Sequence, residues 1–151
     1  MKRKFVVLPV MVLALVLCMG CDNDNGTTNN GTTTNNVVDT SLNGSWVLDP
    51  GTELLDEIRF NNGNFEAFED DMPFQQGTYT TNNGKITMTL TRIYGSLLGL
   101  EPRWYTHDEL KSYGDDPLLN EMFSPQTSDY SVNGNTFTLT GGGVTAIYTK
   151  K

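Results

Sequence analysis

Two cysteines, Cys18 and Cys21, are all the thiol chemistry this 151-residue chain carries, and both fall in its first 21 residues. Everything after them is therefore without a disulfide, a thiol nucleophile or a cysteine-based metal site. There is one histidine, His107. Basic residues are scarce, 10 Lys and Arg against 18 Asp and Glu, for a formal net charge of −8. That balance argues against nucleic acid, whose binding is driven by neutralising phosphates. Long apolar runs are also missing. The longest, Phe5 to Leu17, has 13 residues and is broken only by Pro9, short of the roughly 20 that a spanning helix needs.

What the chain does have starts at its first residues. Lys2, Arg3 and Lys4 precede the apolar run, and a basic segment followed by roughly 7–15 apolar residues is the pattern of a secretory signal peptide. The run ends in Leu17-Cys18-Met19-Gly20-Cys21, which resembles a bacterial lipobox of the relaxed kind found in spirochaete-type membrane lipoproteins. Gly20 is the small residue before the cysteine, while Cys18 and Met19 depart from the usual aliphatic-then-small pattern. The resemblance implies that residues 1–20 are a lipoprotein signal peptide, that cleavage precedes Cys21, and that Cys21 carries a diacylglycerol thioether. Palmitate-type acylation of the new amino terminus follows. The membrane is then a partner through the lipid on Cys21, at the periplasmic face or the cell surface. Cleavage removes three positive charges and moves the net charge from −8 to −11.

Residues 22–41 read DNDNGTTNNGTTTNNVVDTS, with only Val37 and Val38 apolar. Such a segment buries too little surface to offset the entropy of ordering, so 21–41 is expected to be a disordered polar tether. Its span as a flexible chain is on the order of 25 Å. Residues 42–151 remain, one domain by size.

That domain alternates turns and strands. Asn61-Asn62-Gly63-Asn64, Asn82-Asn83-Gly84, Asn133-Gly134 and Gly141-Gly142-Gly143 separate segments of period two. Ile86, Met88 and Leu90 alternate with threonine, as do Phe137 and Leu139, which puts one face of each strand on a core and the other in water. Eight strands are predicted, near 45–48, 56–60, 64–69, 75–80, 85–94, 128–132, 135–140 and 144–150. The fold class is all-β. An antiparallel meander of that number closes into a small barrel, which removes its edges; a two-sheet β-sandwich uses the same pattern. Inward positions include Trp46, Leu48, Phe60, Tyr79, Tyr130, Val132, Leu139 and Val144.

Gly44-Ser45-Trp46 opens the first strand and looks like the Gly-x-Trp signature of lipocalins; the whole of 42–151 is similar to the lipocalin-like domains of small bacterial lipoproteins. The resemblance implies that Gly44 and Trp46 form a barrel-plug motif, with the tryptophan closing one end under a basic residue from the last strand. Lys150 is placed for that role, where lipocalins prefer arginine. It further implies a barrel that takes a small apolar ligand.

The meander is interrupted at 95–127, a predicted two-helix insert between the fifth and sixth strands. Thr106 and Glu109 have capping-box spacing, and Asp116-Pro117 can open a second helix. The insert holds Trp104, Tyr105, Tyr113 and Phe123, the candidate ligand-binding residues. It is either a plug burying its own aromatics or a lid gating a ligand. For catalysis the sequence offers little: His107 stands alone and no serine sits in a nucleophile elbow. Glu66, Glu69, Asp70 and Asp71 lack the spacing of a calcium loop. No enzyme, cofactor or metal is expected. The expected function is a lipid-anchored, cell-envelope binding lipoprotein. The alternative is a non-enzymatic surface interaction or structural lipoprotein with a filled barrel, meeting a protein partner through residues 66–71.

Overall fold

Asn62 and Asn83 sit at φ 46° and 49°, in the left-handed conformation that short hairpin turns demand and that asparagine tolerates best among residues with a side chain. They turn β2 (Glu57–Asn61) into β3 (Asn64–Glu69), and β4 (Met72–Asn82) into β5 (Lys85–Tyr94). The remaining strands are β1 (Gly44–Leu48), β6 (Trp104–Thr106), β7 (Gln126–Asn133), β8 (Thr136–Gly141) and β9 (Val144–Lys150). Two short helices, α1 (His107–Lys111) and α2 (Pro117–Met122), lie between β6 and β7. The computed structural model describes residues 37–49, 56–114 and 116–151. The predicted signal peptide, Cys21 and tether positions 22–36 lie outside them.

Every pairing is antiparallel, and the ring runs β1–β2–β3–β4–β5–β7–β8–β9 and back to β1. The β4–β5 and β1–β9 pairings close it, so the sheet is an eight-stranded barrel and not two stacked layers. The eight predicted strands are all present, with β4 and β7 longer than expected. A ninth strand, β6, lies outside the ring. It pairs with β5 at Arg92–Tyr94, on the edge that β7 occupies at Lys85–Met88. Three residues without an alternating run of their own give no sequence signal for such a strand.

Alternation fails at two irregularities. Gln76 pairs with Arg92 but Gly77 with Leu90, leaving Thr91 as an extra residue in β5. Leu90 and Ile93, three apart, therefore both face inward. In the same way Phe68 pairs with Pro73 and Ala67 with Gln75, so Phe74 is the extra residue in β4. Bulges of this kind bend a strand and increase its twist, which helps a sheet close.

The interior is aromatic toward the end formed by the β2–β3, β4–β5 and β7–β8 turns. Phe137 is fully buried against Trp46, Phe60 and Tyr148, at ring-centroid distances of 5.7, 5.7 and 5.4 Å. Phe60 also meets Tyr79 edge-on at 4.9 Å. Of the predicted inward residues, Tyr130, Val132 and Leu139 are only half-buried, and Val144, at the β8–β9 turn, is exposed.

The folded body begins before Leu42. Val37 bridges Thr81, whose hydroxyl donates to Val37 O at 2.7 Å and accepts from Asp39 N at 3.0 Å. Tyr130 donates its hydroxyl to Asp39 Oδ2 at 2.9 Å. Asp39 caps a 3-10 turn (Thr40–Leu42) that delivers Leu42 into the core, fully buried. Val37–Ser41, expected as tether, are thus part of the domain because their backbone finds partners on β4.

On the outer wall Glu57 is 7% exposed and accepts from Arg59 Nε at 2.5 Å and Lys151 Nζ at 3.1 Å. Arg59 also lies over the Phe68 ring, 3.9 Å from its centroid. The Arg59 hydrogen bond is the main reason the Glu57 carboxyl is held at about 2, against 4.5 unperturbed, with burial opposing it. The folded pKa is depressed, so this contribution is complete above about pH 5 and is lost as pH falls toward 2. Glu69 works the other way, raised by burial and by the charges of Asp56 and Asp70. Because both bases on Glu57 are well exposed, the pair contributes on the order of 1 kcal/mol. Urea midpoints measured from pH 6 to pH 2 should fall less steeply in Glu57→Gln than in the unaltered protein. Equal slopes would mean the pair contributes nothing.

Candidate functional site

The barrel has two unlike ends, and the sequence builds each locally. At the base, Gly44 has φ +127°, a conformation that residues with a side chain rarely adopt. A Cβ there would meet Lys150 Cε at 3.0 Å. Glycine thereby lets Lys150 lie across the base, its Nζ 5.1 Å from the Trp46 ring centroid, within cation–π range. Trp46 is fully buried and donates its indole N–H to Leu42 O at 2.6 Å. The Gly44–Trp46 pair and Lys150 thus act as one seal.

At the opposite rim the insert covers the barrel. α1 begins with the predicted capping box: Thr106 Oγ1 accepts from Glu109 N at 3.3 Å, and Glu109 Oε2 accepts from Thr106 N at 2.9 Å. This fixes the direction in which Tyr105 and Leu110 enter the core, where both are buried. Asp116 caps α2, with Pro117 in its first turn. No residue of α2 is fully buried. Leu119 and Met122 are half-buried against the core and Leu118 is 51% exposed. α1 is therefore a plug, and α2 rests on the rim as a thinner cover. His107 ties the two: its Nε2 is 2.9 Å from Asn120 Oδ1, and its ring stacks on Phe123 at 4.6 Å.

The four candidate ligand-binding residues do not converge on one point. Tyr105 faces the core and Trp104, its neighbour along β6, faces the other way, edge-on to Tyr94 at 5.3 Å. Tyr113 meets Tyr105 at 6.1 Å but is 60% exposed, and Phe123 is engaged with His107. Tyr105 and Phe123 belong to the rim cover. Trp104 and Tyr113 are on its outside.

Among the interior positions that sequence reasoning passed over, with Leu42, Ala67 and Ile93, the polar one is Gln75. It pairs with Ala67 on β3 and Ile93 on β5, both in the core, so its side chain points into the barrel. It is 2% exposed, and its Oε1 has no hydrogen-bond partner. Among the described residues the other buried polar side chains, Glu57 and Thr81, are both paired. Counting back by twos from Tyr79 through Gly77 reaches Gln75, a signal visible in the sequence.

The acidic group lies on the same rim and the wall below it. Asp70 and Asp71 form the β3–β4 turn, at φ 49° and 60°. Asp70 N donates to Asp56 Oδ2 at 2.7 Å, and Glu66 accepts from Gln76 Nε2 at 2.5 Å. Among the described residues no three His, Asp or Glu side chains are grouped so as to hold a metal ion.

No family model matches the chain. No curated protein matches it either. Among solved structures, an uncharacterized protein from Bacteroides eggerthii DSM 20697 is similar at 16% sequence identity and a TM-score of 0.46, over 73% of this chain and 99% of that one.

Proposed function

We propose that this protein is a lipid-anchored cell-envelope lipoprotein whose lipocalin-like barrel takes a small apolar ligand at the rim opposite the Trp46 seal. The observation that carries this reading is the contrast between the two ends. The base is packed with interlocked rings. Toward the rim the inward positions of β1, β3, β4, β5 and β9 are Leu48, Ala67, Gln75, Ile93 and Ala146. Small and medium side chains there, beside the Tyr105 and Leu110 plug and under α2, which has no fully buried residue, are the setting in which a small barrel leaves room for a ligand once α2 shifts. The lipobox-like segment ending at Cys21 and the acidic charge support placement at a membrane by lipid and not by surface charge.

The test is to express the full chain in a bacterium with radioactive palmitate, purify it in mild detergent, and examine it by native mass spectrometry. Label should enter the unaltered protein and be absent from Cys21→Ala. A co-purifying small molecule, lost on organic extraction, should accompany both. Label without any bound or bindable small molecule would leave the barrel as a filled platform and overturn the ligand reading; absence of label would overturn the anchor.

A further inference from the structure

The proposed ligand has a head group that the barrel itself specifies. A buried carboxamide oxygen with no partner forfeits the hydrogen bonds it had in water. Native interiors rarely leave such a group unsatisfied, so Gln75 Oε1 calls for an occupant. Water fits poorly there. A buried water needs two to four polar partners, whereas the side chains beside Gln75 on both neighbouring strands are Ala67 and Ile93.

Charge narrows the choice. Among the described residues, no Lys, Arg or His side chain is buried, and the one buried carboxylate, Glu57, faces the outer wall with Arg59. His107, half-buried in α1, is engaged by Asn120. Lys150 lies at the sealed base. An anionic head group brought to Gln75 would be desolvated without a counter-ion, which is strongly unfavourable. A hydroxyl suits the site, because it donates and accepts and so satisfies either face of a carboxamide.

We infer that the ligand is an uncharged amphiphile whose hydroxyl or amide group pairs with the Gln75 carboxamide while its hydrocarbon part lies among the apolar side chains near the rim. This rests on the ligand-binding reading above and adds the chemical class.

The experiment uses the chain carrying Cys21→Ser, so that its own lipid does not compete, and three probes of one length: 1-decanol, decane and decanoate. Each is titrated while the side-chain amide resonances of Gln75 are followed by NMR. 1-Decanol should shift those resonances saturably and bind about tenfold tighter than either decane or decanoate. Gln75→Met, which keeps the unbranched shape and removes the orphaned oxygen, should melt no lower than the unaltered protein. It should still take up decane but lose the preference for 1-decanol. Equal preference in Gln75→Met, or decanoate binding as tightly as 1-decanol, would overturn the head-group assignment and leave the apolar-ligand reading standing. Binding of none of the three would overturn both.

Discussion

Trp46→Ala should lower the free energy of unfolding by about 3–5 kcal/mol, a large share of a total stability in the usual range of about 5–15 kcal/mol and enough to unfold the domain at the low end of that range. Three losses combine. The indole is fully buried against Phe137, so its removal leaves a void at the base of an aromatic cluster that has no spare side chain to fill it. Leu42 O loses the indole N–H that it accepts at 2.6 Å. Lys150 loses the ring beneath its ammonium group. Trp46→Phe separates these contributions, because it keeps an apolar ring and removes the donor. Its cost should be about 1–3 kcal/mol, the penalty for an unpaired buried acceptor plus the lost volume. Urea denaturation followed by far-ultraviolet circular dichroism measures both variants. A Trp46→Ala protein within about 1 kcal/mol of the unaltered one would show that the seal is not part of the cooperative core.

Gly77→Ala, a change of one methyl group, should cost about 3 kcal/mol. Gly77 faces the interior of β4 opposite Phe65. A Cβ at this position would lie 2.3 Å from Thr89 O and 2.4 and 2.6 Å from the edge of the Phe65 ring. The ring can turn aside at some cost, but the Thr89 carbonyl belongs to β5 and moves only if the strands separate. Phe65→Leu in the same protein should therefore recover part of the loss and not all of it, a positive coupling that a double-mutant cycle reads directly. Full recovery would mean that the ring alone sets the requirement for glycine. The same site explains the strand geometry: β4 and β5 approach closely where Thr91 bulges out of register, and an aromatic side chain covers the bare backbone.

Much of this architecture is legible in the sequence because hairpins announce themselves. Strict alternation in residues 85–91, and asparagine where φ must be positive, locate strands and turns without tertiary information. The capping box of Thr106 and the Asp116–Pro117 start are equally local, and both helices begin where that chemistry says. What local pattern does not carry is the phase of a strand after a bulge. Ile93 sits on a face that simple alternation from Leu90 does not assign it, because an extra residue, Thr91, intervenes on β5. β6 is defined by its partner on β5 and not by its own three residues. The candidate site follows the same division. Trp46 and Gly44 belong to a motif readable over three residues, and the structure puts them together with Lys150, about a hundred positions away. Trp104, Tyr105, Tyr113 and Phe123 share an insert but not a surface, since residues adjacent in a strand point oppositely. Gln75 was within reach of parity alone; its isolation among apolar neighbours needed the barrel.

The Val37–Thr81 bridge and the Asp39 contacts fix where the preceding chain joins the body: beside Trp46, underneath. Ten-residue strands such as β5, inclined as barrel strands are, set the two ends about 25 Å apart. The chain upstream of Val37 therefore meets the body at its floor. α2 and the rim it covers then lie at the far side of the barrel from that junction. A pull applied at Val37 would be met first by the Thr81 and Asp39 contacts and only afterwards by β1.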